Sequence, residues 1–163
     1  MKLRYKILIG LSVVVAAIVF FGFKFLASVE ESEWSVQRQA VKVAYEKTIL
    51  VKPVKVERFI GNKQYTIIHG EDKIGQPIIV WVSDDEVITE MASDGVTADQ
   101  VKEAVLAKNP DSTVLRTTPG KLGDRLVWEA FYKYESEQGW KYFYDYYDFK
   151  DGTLIDTYKL SLQ

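Results

Sequence analysis

The chain has 163 residues, of which 47% are apolar and 13% aromatic, enough for one anchor and one or two small packed domains. With no cysteine, a disulfide framework, a thiolate zinc site and a cysteine nucleophile are all excluded. The net charge is −2, but Lys2, Arg4, Lys6 and Lys24 lie in or beside the first apolar run; removing those four from 21 basic residues leaves 17 against 23 acidic ones, a remainder of −6 that is unsuited to binding nucleic acid through net charge.

Residues 7–23 (ILIGLSVVVAAIVFFGF) carry no charge, and Phe25-Leu26-Ala27 extend the run past Lys24. As a helix this stretch covers about 26 Å at ~1.5 Å per residue, and only a helix satisfies its own backbone in lipid. Three basic residues precede the run, and Glu30, Glu31 and Glu33 follow it. The positive-inside rule then leaves Met1 in the cytoplasm and the chain beyond about Ala27 outside. A cleaved signal peptide is the rival reading, but the run is long for one and Phe25-Leu26-Ala27 is a poor cleavage site. The expectation is a single-pass anchor over residues 1–27 in the cell membrane, with an extracellular domain after it.

Residues 30–50 place Val36, Ala40, Val43 and Ala44 at helical spacing, with Val41, Tyr45 and Ile49 as an adjacent stripe. After Pro53 the period becomes two: Val54 and Val56 predict a strand, Gly61-Asn62 a turn, and Tyr65 to His69 a second strand. Gly70 to Gly75 reads as a polar turn, Pro77 to Ser83 as a third strand, Asp84-Asp85-Glu86 as a turn, and Val87-Ile88-Thr89 as a short fourth strand.

A second cycle then begins. Asp94-Gly95 breaks the chain, and Thr97 to Gln100 has the form of a capping box. Val101, Ala104, Val105 and Lys108 share one face of a helix that Asn109-Pro110 ends. Thr113 to Thr117 reads as a strand, and Pro119-Gly120 through Gly123-Asp124 as a turn. From Leu126 to Leu160 come two long aromatic strands, an Asp151-Gly152 turn and a final strand. The order of elements repeats, so the expected fold is α+β: an N-terminal transmembrane helix, then two tandem helix-plus-antiparallel-sheet units over residues 28–92 and 93–163.

No catalytic or cofactor constellation stands out. His69 is the single histidine, so an imidazole metal site or a His-based triad has little to build on, and a lone strand histidine is more simply a surface or half-buried residue than a ligand. No phosphate-cradling glycine motif is present. Asp145, Asp148 and Asp151-Gly152 have the wrong spacing for a calcium loop, and Asp151-Gly152 reads better as a hairpin turn. No metal, cofactor or enzymatic activity is therefore expected.

Alternation along the aromatic strands suggests two faces. Taking charge as the mark of the wet side, Trp128, Tyr132, Tyr142, Tyr144 and Tyr146 are assigned to the helix-covered core. Phe131, Phe143, Tyr147 and Phe149 are assigned to the outer face, as candidate partner-binding residues, because exposed aromatic patches mark interaction sites.

The Leu126-Val127-Trp128-Glu129-Ala130 strand, Tyr146-Tyr147-Asp148-Phe149, the Asp151-Gly152 turn and Thr153-Leu154-Ile155 resemble the PepSY pattern. Tyr65 to Ile68, Val80-Trp81-Val82 and the preceding anchor look like the YpmB/TseB-like (DUF5590-type) proteins of Gram-positive bacteria. The resemblance implies cystatin-like and PepSY-like units outside the membrane. It also implies a non-enzymatic regulator of cell-wall elongation that binds a penicillin-binding protein; the alternative it implies is a PepSY-type inhibitor of an extracellular peptidase. It supplies no catalytic residue and leaves the oligomeric state open. The chain departs from the pattern at Asp145, where an apolar or neutral strand residue is expected.

Overall fold

In a computed structural model, described for residues 18–20 and 34–161, residues 34–47 are helical (α1). The expected anchor lies outside the described residues except for residues 18–20, which are helical; no described helix is long and apolar enough to cross a membrane. The chain divides into two compact units, residues 1–39 and 40–163. In the first, residues 34–39 begin α1. Everything that follows concerns the second.

Four strands follow α1: β1 (Lys52–Ile60), β2 (Gln64–Glu71), β3 (Pro77–Val82) and β4 (Val87–Met91). A 3-10 turn (Ala92–Asp94) leads to α2 (Ala98–Lys108). Then come β5 (Thr113–Leu122), β6 (Arg125–Ser136), β7 (Gly139–Asp148) and β8 (Leu154–Leu160). Each set of four forms an antiparallel sheet in sequence order. The α+β class and the tandem sheets are as the alternating pattern predicts.

The local signals act as expected. Thr97 and Gln100 form a reciprocal capping box at the start of α2, and Asn109 ends it, its N–H donating to the Val105 carbonyl. Gly152 takes φ +72°, a conformation that costs glycine little, while Asp151 accepts the Thr153 N–H at 2.8 Å. Asp148 accepts the Lys150 N–H at 2.8 Å, so these two acids are turn formers.

The central strands of the first sheet, β2 and β3, are buried on both sides. One face carries Ile68, Ile78, Val80 and Val82 and packs under Ala40 and Ala44 of α1, whose small side chains let the helix approach closely. The opposite face presents Tyr65, Ile67, Ile79 and Trp81 to a second core built from Val101 and Val105 of α2 and from Trp128, Ala130, Tyr132, Tyr147 and Phe149. Consecutive residues Ile67-Ile68 and Val80-Trp81 are consequently all without exposed surface. Continuous apolar runs such as PIIVWV are the sequence form of a strand covered on both faces. Of the stripe predicted on α1, Val41 is partly buried, whereas Val36, Tyr45 and Ile49 are exposed.

Two expectations are corrected. Pro119-Gly120 is not a turn: β5 runs through it to Leu122, and only Gly123-Asp124 turns. An edge strand tolerates proline, since one side of its ladder needs no donor. Gly120 leaves space for the Phe59 ring, which a Cβ there would strike, and its carbonyl accepts the Trp81 Nε1–H at 3.1 Å.

The second correction concerns β7. Trp128, Ala130 and Tyr132 stand opposite Tyr147, Asp145 and Phe143; Glu129, Phe131 and Lys133 stand opposite Tyr146, Tyr144 and Tyr142. Directly opposed residues share a face. Tyr142, Tyr144 and Tyr146 therefore lie on the outer face with Phe131, and Phe143, Tyr147 and Phe149 on the core side, the reverse of the expectation for β7. The cause is Asp145: a charge taken as the sign of solvent is wholly buried.

Replacing Ala44 with leucine tests the α1 contact. Ala44 has no exposed surface, so the added methylenes should cost about 1–3 kcal/mol of stability in urea unfolding.

Candidate partner-binding face

The outer face of the second sheet is held together by aromatic and ionic contacts across its strands. Phe131 on β6 stacks on Tyr144 of β7 at 4.6 Å between centroids and 19° between planes, and on Tyr142 at 6.0 Å and 23°. The Arg116 guanidinium of β5 lies 6.0 Å from the Phe131 ring centre. Tyr146 meets Tyr158 of β8 edge to face at 5.8 Å. Lys133 sits 4.1 Å above the exposed Trp140 ring. Beneath this layer Glu129, almost wholly buried, accepts hydrogen bonds from Arg116 Nη2 at 2.9 Å and from the Tyr146 hydroxyl at 3.1 Å. Burial, and then the Glu129 carboxylate, push the Tyr146 phenol above its ordinary value.

Phe131, Tyr142, Tyr144 and Tyr146 are half-buried, and Tyr158 is exposed. Because Phe131 and its neighbours are stacked on one another, they turn edges and hydroxyls, more than open ring faces, toward water. Such a surface offers apolar area and hydrogen-bonding groups together, the combination enriched at protein interfaces.

Of the four residues singled out from the sequence, Phe131 lies on this face. Phe143 is partly buried against the core, and Tyr147 and Phe149 are core residues with 3% and 0% exposure. Sequence reasoning missed Tyr142, Tyr144, Tyr146 and Tyr158. The signal that identifies the first three is the turn. Ser136 pairs with Gly139 across a two-residue turn, Glu137-Gln138, with Gly139 at φ +96°. A two-residue turn fixes which residues stand opposite each other, and so which rings share a face.

The core side of the same strands holds a polar cluster around Asp145. Its carboxylate accepts from Lys108 Nζ (3.0 Å), Thr157 Oγ1 (2.6 Å), the Tyr147 hydroxyl (3.2 Å) and the Tyr132 hydroxyl (3.3 Å). One carboxylate thereby joins α2, β6, β7 and β8. Burial, followed by the Asp145 charge, pushes both phenols up.

Two other sites were not marked by any motif. Glu86, read as a loop residue, accepts from the Tyr65 hydroxyl and, at 2.7 Å, from Lys121, and so ties the first sheet to β5. His69 is half-buried, its Nε2 2.7 Å from a Glu57 oxygen, while Lys55 also pairs with Glu57 at 2.7 Å. Burial would raise the Glu57 carboxyl, but the His69 and Lys55 contacts outweigh it and hold it below the usual range. Beside His69 an apolar cleft of about 390 Å³ is lined by Val54, Ile79, Ala92, Val96 and Trp128. Among the described residues no cluster of histidine and acidic side chains is arranged to hold a metal ion.

Asp145→Ala should cost about 3 kcal/mol, near the lower end for a broken buried pair because Lys108 is partly exposed and can turn to water; chemical unfolding measures it. The tyrosines give a second expectation. Tyr65, Tyr132, Tyr146 and Tyr147 all have phenols raised in the folded chain, where each is protonated more readily than in the unfolded chain. Their stabilisation is complete below the unfolded value of about 10 and is lost as pH rises through the folded values. The urea midpoint should therefore fall above about pH 10, and phenolate absorbance should grow sharply as the fold is lost.

The comparisons with known proteins agree with this architecture. Residues 39–83 match the model of the cell wall elongation regulator TseB-like domain. The chain is 27% identical over 150 residues to the probable cell wall elongation regulator TseB of Bacillus subtilis, covering 84% of this chain and 91% of that one. It superposes on the YpmB protein from Bacillus subtilis with a TM-score of 0.64 and 26% identity, covering 76% of this chain and 96% of the other. Taken with the two sheets and the helix over the first of them, these likenesses show a chain similar to the YpmB/TseB-like proteins and support its place among them.

Proposed function

We propose that this chain is a membrane-anchored, extracellular and non-enzymatic regulator of cell-wall elongation, and that it works by binding a wall synthase of the penicillin-binding class. The likeness to a protein named as a probable cell wall elongation regulator supports the regulatory role. The observation that carries the binding mode is the outer face of the second sheet, where Phe131, Tyr142, Tyr144, Tyr146 and Tyr158 stand together at the surface instead of in the core. The uncharged run at residues 7–23 supports anchoring, and the acid-rich remainder supports a protein partner over an anionic polymer.

Crosslinking of the full chain in intact cells tests this reading. A Tyr144→Ser/Tyr158→Ser variant removes aromatic area from the proposed face while leaving both cores in place. It should stay folded by circular dichroism and recover about tenfold less wall synthase, the loss expected when interface anchors are truncated. Unchanged recovery would rule out this face. Recovery of a peptidase by the unaltered chain would replace the synthase with the peptidase as partner.

A further inference from the structure

The outer face of the second sheet is electrically uneven. Arg116, Phe131, Tyr144 and Tyr158 stand opposite one another in turn, so one row crosses all four strands, from a cation through three rings. With strands about 4.8 Å apart, that row is roughly 14 Å long. Lys133 flanks it, two residues along β6 from Phe131 and on the same face. The carboxylates of this face are placed elsewhere or already engaged. Glu129 is 6% exposed and holds Arg116 and Tyr146. Asp156 lies on β8 and engages the Tyr158 phenol, Asp148 serves the turn after β7, and Glu135 stands by Trp140 near the hairpin turn. The β5–β6 end of the row is therefore basic, a local exception in a chain whose remainder beyond the first apolar run is acidic.

Arg116 has donors to spare. Its side chain is 53% exposed, and Nη2 is held by Glu129 Oε1 at 2.9 Å. Nε and Nη1 make no hydrogen bond among the described residues. A guanidinium carries its N–H donors in a rigid fork, so one held at a single nitrogen can still take a carboxylate through two parallel bonds. The Glu129 carboxylate on one side and the Phe131 ring centre 6.0 Å away restrict its orientation before anything binds. An arginine ordered in advance loses less side-chain freedom when it engages a partner.

We infer that Arg116 receives a carboxylate of the protein partner, from an aspartate or glutamate side chain, with apolar side chains beyond it laid along Phe131, Tyr144 and Tyr158; this rests on the outer face being the partner-binding surface. Glu129 is then a positioning residue, which holds Arg116 in place without touching the partner. An exposed ion pair alone contributes little, but apolar groups settling on the adjacent rings would exclude water from this one and strengthen it. An anionic polymer without apolar groups would satisfy Arg116 and leave the rings uncovered. Arg116 and Lys133 at one end, and Asp156 at the other, also fix the direction in which the partner segment crosses the strands, acidic end toward β5.

Carbodiimide treatment of membranes carrying the full chain tests this, because the reagent joins a carboxylate to an amine in contact with it and leaves a guanidinium alone. Arg116→Lys/Glu129→Gln puts an amine at position 116 and removes the chain's own carboxylate beside it. Mass spectrometry should then find position 116 in amide linkage with an aspartate or glutamate of another protein. Arg116→Gln/Glu129→Gln removes both charges, so no buried carboxylate is left unpaired. That variant should stay folded by circular dichroism and recover about tenfold less partner on aldehyde crosslinking. Unchanged recovery by the folded Arg116→Gln/Glu129→Gln chain overturns the inference. So does a folded Arg116→Lys/Glu129→Gln chain that couples no protein through position 116. If aldehyde still recovers a wall synthase in that case, the proposed partner stands and the carboxylate contact falls. If a protein other than a wall synthase is coupled through position 116, the carboxylate contact stands and the proposed partner falls.

Discussion

Trp81 is the side chain through which the two sheets become one body. It has no exposed surface, meets Phe149 edge to face at 5.4 Å, and gives its indole N–H to the Gly120 carbonyl. Phe149 in turn stacks on Trp128 at 6.4 Å, and Trp128 donates to the Val96 carbonyl ahead of α2. This chain of rings runs from the centre of the first sheet to the start of the second helix. Its polar atoms are satisfied by backbone carbonyls, so little of the hydrophobic gain is spent on stranded donors. Most of the remaining architecture follows from it. The central strands of the first sheet must be apolar on both sides, and the second sheet must turn its Trp128–Tyr132 face inward. What is left for solvent is the far side of β6 and β7.

Much of this was legible in the sequence. The strands, the capping box, the Asp151-Gly152 turn and the two cycles of elements all have local causes, and local causes leave local marks. Trp128 and Tyr132 as core and Phe131 as outer residues also follow from alternation. The face of β7 does not, because the rule that charge means solvent fails at Asp145. A buried carboxylate is stable when several donors converge on it, and those donors come from α2, β6 and β8, far apart in the sequence. No window of residues contains that information. Pro119-Gly120 failed for a related reason. The pair reads as a turn until Phe59, about sixty residues earlier, is seen to fill the space that Gly120 leaves.

For function, the division between the two faces is what counts. The fully buried aromatic residues and the partly buried Phe143 are structural, whereas the half-buried Phe131, Tyr142, Tyr144 and Tyr146, with the exposed Tyr158, form the surface through which we propose that a wall synthase is bound. Their mutual stacking gives that surface rigidity before any partner arrives, which lowers the entropy that ordering would otherwise cost. Glu129 and Arg116 add to this by fixing the polar layer beneath the rings. An arrangement of this kind suits recognition, in which a preformed shape has value without any bond being made or broken.

The two-residue turn at Glu137-Gln138 has an implication for how such a chain can diverge. It sets the pairing of β6 with β7, and strand side chains alternate with a period of two. Substitutions at these two positions leave that pairing alone. A gain or loss of one residue, unless a bulge absorbs it, would trade the two sets of rings, carrying Asp145 into water and Tyr146 into the core. The parity of this hairpin is therefore a heritable constraint in its own right: composition is free to drift, while length changes most readily by twos.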